Sequence, residues 1–375
     1  MKPLRQIAFV LEDFALQTPA QQLLDRFLLG YRRAGGFHKL DGVRVSVSLA
    51  PIGGEGGVRG PRADNGNALL QQRITDSGLQ SFGDVPTAVR DADAIVIVPR
   101  ADAAIPSEAQ LTTALTHAKR GALSFVFGAL ATNLATAHTF STLAAARQVT
   151  LASGTTLPVT WRLPQMDLPS QARVAEALIV VQGASPLAEL HALDGLLPVL
   201  ERRASGERGV RQVKFLSGRE PWRAGDRREW SWPLLSAALS RSDSPQGDAI
   251  LDGRTQDLVG LGLVPKLATN PRGWLLEHTD GVRSALMVLD GVVADFNFAV
   301  HLADGSNLSA QLFRAPVPAQ EHYSRLAATL EDFFRTGTPP WPTQRSLLTA
   351  GLLDACRQTA AQPGVWLRTP ELSFR

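Results

Sequence analysis

The sequence predicts an α/β fold in two parts. A Rossmann-like, doubly wound parallel sheet comes first, and an α+β domain with a large, mostly antiparallel open sheet follows. Three observations carry this. The first 150 residues alternate short apolar runs with helix-periodic stretches, the pattern of a parallel sheet covered on both faces. From Leu258 onward the runs lengthen and are cut by Asp-Gly pairs that suit antiparallel hairpins. The texture changes near residue 160, which divides the chain into 1–160 and 161–375.

Element by element, Arg5–Leu11 reads as a buried strand. Thr18 and Pro19 serve as N-cap and first helical position, and Gly35-Gly36 close that helix. Val43–Leu49 alternates as a strand, and the glycine-rich Ile52–Gly66, with its Gly53–Gly57 cluster, reads as a loop. A short helix over Asp84–Asp91 precedes the strand Ala94–Val98. Ser107–Lys119 is a helix, Leu123–Phe127 a strand, Thr136–Arg147 a helix and Val149–Leu151 a strand. In the second part, Ala175–Val181 and Leu187–Leu200 read as helices and Val210–Ser217 as a strand. Asp280-Gly281, Asp290-Gly291 and Asp304-Gly305 are the expected hairpin turns of a sheet with helices on one face. Helices return at His322–Arg335 and Arg345–Ala360.

The chain has 375 residues, 38 Lys and Arg against 35 Asp and Glu, and a single cysteine. The lone Cys356 excludes an internal disulfide and a multi-cysteine metal site. No cluster of His, Asp and Glu has ligand spacing, so no metal is expected. The first apolar run is short and runs at once into Glu12 and Asp13, unlike a signal peptide, and no stretch reaches the ~18 apolar residues of a membrane span. The expectation is a soluble, cytoplasmic protein. Between Glu201 and Arg228 lie nine basic and four acidic residues. This is either a solvated helix end and loop or an anion-binding rim. No nucleic-acid-binding motif accompanies it.

Several segments resemble the Gfo/Idh/MocA oxidoreductase family. Val85–Pro99 (VPTAVRDADAIVIVP) is similar to the family's segment ending D-x-D-A-V-x-I-A-T-P. Ala114–Phe127 is similar to the helix and strand leading into its E-K-P motif. Leu187–Leu200 (LAELHALDGLLPVL) resembles its D-x-G-x-H-x-x-D helix, with His191 and Asp194 on the last matching positions. Tyr323–Cys356 resembles its closing helix pair. The resemblance implies an NAD(P)-binding Rossmann domain, a C-terminal sheet forming substrate and oligomer surfaces, and redox chemistry on a sugar hydroxyl or keto group.

The chain departs from that pattern at the chemical positions. The turn after the first strand, Glu12 to Pro19, has no glycine, and its carboxylates would face a phosphate. Phe127-Gly128-Ala129 stands where E-K-P is expected. Leu187 and Glu189 replace the aspartate and glycine of the histidine helix. The expectation is therefore a motif-degenerate branch with no NAD or NADP. It would bind a sugar-like or acidic small molecule, or act as the non-catalytic partner of an active paralogue, in a homo- or hetero-oligomer built through the C-terminal sheet. The alternative is an atypical NAD(P)-dependent oxidoreductase acting on a sugar, with His191 as acid or base.

The candidate catalytic residues are His191 and Asp194, three apart on one helical face, so that the carboxylate could orient the ring. The other reading is a partly buried, locally bonded histidine. Arg162, Glu189 and Trp222 are the candidate substrate-binding residues: an arginine for a carboxylate or hydroxyl, an acid beside the histidine, and an aromatic platform. Each has a plain packing alternative. His278 and His301 read as sheet residues.

Overall fold

The structure, a computed structural model, describes residues 4–49, 61–183, 187–244 and 257–374. The Gly53–Gly57 cluster lies outside them. The chain divides into two compact units. Met1–Val159 with Ala315–Ala350 form one, and Thr160–Arg314 with Gly351–Arg375 form the other. The sequence reading assigned everything after 160 to the second part, but Ala315–Ala350 belongs with the first.

In the first unit, β1 (Gln6–Leu11) is buried at every position. Thr18 caps α1 (Pro19–Leu29). The helix ends at Gly30 (φ 109°), earlier than expected, because the chain turns there into a hairpin of β2 (Tyr31–Arg33) and β3 (Gly36–His38). A Cβ on Gly30 would lie 2.6 Å from the His38 carbonyl oxygen. Ala34 and Gly35, both at positive φ, make the hairpin turn, so Gly35-Gly36 does not end a helix. Then come β4 (Arg44–Leu49), α2 (Pro61–Ser77), β5 (Gln80–Phe82), α3 (Val85–Val89), β6 (Ala94–Val98), α4 (Glu108–His117), β7 (Leu123–Phe127), α5 (Leu134–Ala146) and β8 (Thr150–Gly154). The helix α2 begins inside the segment read as loop.

The six strands form a parallel sheet in the order β5-β4-β1-β6-β7-β8. Alternate residues of β1 serve opposite layers. Ile7, Phe9 and Leu11 pack with Leu23, Leu24 and Phe27 of α1 and with Leu326, Leu330 and Phe333. Ala8 and Val10 pack with Leu111 and Leu115 of α4 and Phe140 of α5.

The second unit holds β9 (Trp161–Leu163), β10 (Val174–Val181), α6 (Ala188–Leu200), β11 (Val210–Ser217), α7 (Glu220–Asp226), α8 (Trp232–Leu239), α9 (Val264–Leu267), β12 (Thr269–His278), β13 (Arg283–Asp290), β14 (Phe296–Leu302) and β15 (Asn307–Phe313). Then α10 (His322–Thr336) belongs to the first unit, α11 (Thr343–Ala360) passes from one unit to the other, and β16 (Trp366–Arg368) ends the second sheet. That sheet has eight strands in the order β16-β11-β12-β13-β10-β14-β15-β9. Every pairing is antiparallel except β10 with β13.

Three sequence expectations change here. Ala175–Val181 lies in β10, not a helix. The run Leu-Ile-Val-Val is β-branched and sits mid-sheet, where burial on both faces overrides the helix preference of Ala-Glu-Ala. Asp290-Gly291 does not close a hairpin, since β10 lies between β13 and β14 and the turn only starts a crossover. Asp280-Gly281 and Asp304-Gly305 do join paired neighbours.

The third change concerns the sheet faces. Helices cover both, not one. Leu178 and Val180 of β10, Leu275 of β12 and Met287 of β13 pack under α7 and α8 through Trp222, Trp230, Leu234 and Leu235. The helix α6 packs against β10, β13 and β14. Among the described residues no helix is long and apolar enough to cross a membrane.

Candidate functional site

In a doubly wound sheet, ligands collect outside the carboxyl ends of the strands where the strand order reverses. That point lies here between β1 and β6. Glu12 and Asp13 follow β1 and occupy it. The Glu12 carboxylate accepts hydrogen bonds from the backbone N–H of Arg100 (3.3 Å) and of Ser107 at the head of α4. Asp13 accepts from the Ala101 N–H at 2.8 Å. Its second carboxylate oxygen is buried with no hydrogen-bond partner, and burial pushes the Asp13 carboxyl above its usual range.

The head of α1 is similarly occupied. Thr18 Oγ1 accepts from the Gln21 N–H and donates to the Ala15 carbonyl at 2.7 Å, while the Gln21 side chain accepts from the Gln17 N–H at 2.9 Å. Donors that a glycine-rich turn would offer to a phosphate are bonded to the chain's own side chains. These bonds predict that Glu12→Ala destabilises the protein by about 0.5–2 kcal/mol, the range for losing a helix-capping group. Urea unfolding would measure it. A neutral or stabilising substitution would mean that Glu12 is not holding this loop.

At the end of β7, Gly128 (φ 96°) bonds the Gly154 carbonyl and Ala129 bonds the Ala104 carbonyl. Phe127 stacks on Tyr323 at 6.1 Å. No lysine stands in this turn. Lys119 is tied to Asp93 at the opposite ends of the strands.

In the second unit, His191 sits in the first turns of α6. Its ring meets Phe296 edge-on at 5.4 Å, and the Arg314 guanidinium lies 5.4 Å over the same phenyl. The residue is partly exposed, but Nδ1 is buried without a hydrogen bond. Burial, with Arg314 adding, lowers the His191 pKa to about 3, so the imidazole is neutral at physiological pH. Asp194 is buried one turn on and does not bond Nδ1, so it does not orient the ring through that atom.

The three candidate binding residues part company. Arg162 lies on β9, the outermost strand at one edge, where it bonds Asp167 and the Met166 carbonyl. Glu189 accepts from Arg272 at 3.1 Å. Arg272 and Trp222 line one pocket of about 530 Å³ at the end of β11 and the start of β12. Trp222 stacks on Trp232 with centroids 5.8 Å apart. Sequence reasoning found Trp222 and Glu189 but missed Arg272, which lies outside the basic stretch and reaches the pocket only through strand pairing.

The basic stretch itself is dispersed. Arg203 is buried against Glu207 and Asp280, Arg211 pairs with Glu277, Lys214 with Glu229, and Arg227 with Glu220 and Glu229. His278 and His301 lie on β12 and β14, bonded to Ser284 and Asn307. Among the described residues no group of three or more His, Cys, Asp or Glu is placed to hold a metal.

No family model matches the sequence, and no curated protein does. Solved structures do match over the whole length. The myo-inositol 2-dehydrogenase of Lactobacillus plantarum is 10% identical, with a TM-score of 0.59 over 98% of this chain and 99% of that one. The myo-inositol dehydrogenase of Lactobacillus casei, solved with NAD(H) and myo-inositol, is 12% identical with a TM-score of 0.58, covering 98% and 97%. The biliverdin reductase of Synechocystis sp., solved with biliverdin and NADP+, is 14% identical with a TM-score of 0.54, covering 95% and 99%. With its parallel six-stranded sheet followed by a mostly antiparallel eight-stranded one, the chain has the two-domain fold of the Gfo/Idh/MocA-type dehydrogenases.

Proposed function

We propose that this chain keeps the dehydrogenase fold without standard NAD(P) hydride transfer, and binds a sugar-like or acidic small molecule. The observation that carries the reading is the pair Glu12 and Asp13, whose carboxylates hold the backbone N–H groups of Arg100, Ala101 and Ser107. These residues do not fit a dinucleotide pyrophosphate. A negative charge about 5 Å from one of them meets a repulsion of about 3 kcal/mol at an effective dielectric constant of ~20. The turn at Gly128 brings no lysine to the reacting oxygen, and a neutral His191 is a poor proton donor near pH 7. In this reading Trp222 supplies an aromatic contact and Glu189 acts through Arg272, while Arg162, on the opposite edge strand, lies outside that site. Pairing with an active paralogue is compatible with it.

Titration with NAD+ and NADP+ while following thermal unfolding tests this. A cofactor at 100 times its Kd adds about 2.7 kcal/mol of stability. The expected result is no saturable shift with either. A clear one would overturn the reading in favour of an atypical NAD(P)-dependent oxidoreductase with His191 as its acid or base.

A further inference from the structure

We propose that the pocket between the end of β11, α7 and the start of β12 binds a small organic anion: a carboxylate or phosphate group carried on a ring. This rests on the small-molecule reading above and names where the charged group goes. The pocket, about 530 Å³, has the volume of a site for a small ligand. Three arginines line it, Arg219, Arg223 and Arg272, together with Ser217, Asn270 and Trp222. No carboxylate is among the lining residues.

Two of the arginines are paired with acids outside the lining. Glu220 pairs with Arg223 at 2.8 Å and Glu189 with Arg272 at 3.1 Å. Arg219 has no acidic partner among the described residues. Arg219, with no carboxylate bound to it, leaves uncompensated positive charge at the cavity. Arg272 is also held by the Gly183 carbonyl, so its fork is fixed before any ligand arrives.

The backbone at the rim is shaped to the same end. Gly218 (φ 62°) and Asn270 (φ 49°) both sit in the left-handed region, one just after β11 and the other in the register shift between Thr269 and Arg272 of β12. Asn270 and Ser217 line the cavity beside the arginines. Guanidinium forks suit the planar oxygens of a carboxylate or the face of a phosphate, and the indole offers an apolar wall to a ring.

Isothermal titration calorimetry on the full chain at low ionic strength tests this with four probes: inorganic phosphate, glucuronate, glucose 6-phosphate and, as neutral control, glucose. The expected result is saturable binding of glucuronate or glucose 6-phosphate, and binding of glucose at least about tenfold weaker. The double variant R219A/R223A removes two exposed side chains, so it should unfold at the native temperature yet bind the charged probe about tenfold or more weakly. Failure of every charged probe to bind overturns the proposal. So does unchanged affinity in the double variant. Stabilisation by NAD+ that persists in R219A/R223A would count against the functional reading alone.

Discussion

Stability should fall steeply as the pH drops from 6.5 toward 4, before most carboxylates titrate. Two histidines drive this. His278 is fully buried at the end of β12, with Nε2 on the Ser284 hydroxyl and Nδ1 without a hydrogen bond. Burial lowers its pKa to about 4. Glu207 and Asp280 oppose this and Arg203 adds to it. His191 is lowered to about 3, mainly by burial.

In both cases the folded protein prefers the neutral ring, whereas the unfolded chain takes up a proton near 6.5. The unfolded state therefore binds more protons below that pH, and stability declines as pH falls. The contribution is complete above 6.5. It is lost down to about 4 for His278 and about 3 for His191. Each tenfold loss of proton affinity is worth about 1.4 kcal/mol, so His278 alone represents about 3 kcal/mol, and His191, a partly exposed residue, adds to it. That is a large share of an ordinary stability of about 5–15 kcal/mol.

Urea unfolding at a series of pH values from 7.5 to 4.5 measures the slope. The His278→Gln variant should start lower but flatten the profile. A flat native profile, or ring resonances that titrate between pH 6 and 7, would show that neither imidazole is held neutral.

Much of the fold was legible because local signals agreed with the tertiary context. Thr18 and Pro19 mark the head of α1, and Val210–Ser217 is a strand from end to end. The misreadings have a common cause. Ala175–Val181 carries helix-forming residues in a strand fixed by its neighbours, and Gly35-Gly36 has the chemistry of a helix stop as well as of a hairpin turn. At the site, the missing glycines were visible in the sequence, and their replacement by Glu12 and Asp13 was too. What those carboxylates bond was not, since Arg100, Ala101 and Ser107 come from the loop between β6 and α4, some ninety residues on. Arg272 was hidden for the same reason: its neighbours in the pocket come from β11 and α7, some fifty residues away in sequence.

Replacing Trp230 with alanine should cost about 3–5 kcal/mol, the range for emptying a buried tryptophan site. The indole is 2% exposed. Its Nε1 donates to the Pro221 carbonyl at 2.8 Å, and its ring packs on Trp232 with centroids 4.6 Å apart. The neighbourhood is too tight to adjust easily, for a Cβ on Gly225 would come within 2.7 Å of both Trp230 and Trp232. Trp230→Phe keeps the ring but strands a buried carbonyl, at about 1–3 kcal/mol. The consequence reaches the pocket, because Pro221 and Trp222 are consecutive and the Trp230 bond fixes that turn of α7. Trp222, Arg219 and Arg223 then lose their common support. Anion affinity should drop in Trp230→Ala even where the chain stays folded, while Arg162 on the far edge strand is unaffected. Equal losses at unrelated parts of the second unit would mean that Trp230 supports the whole layer and has no particular hold on the pocket.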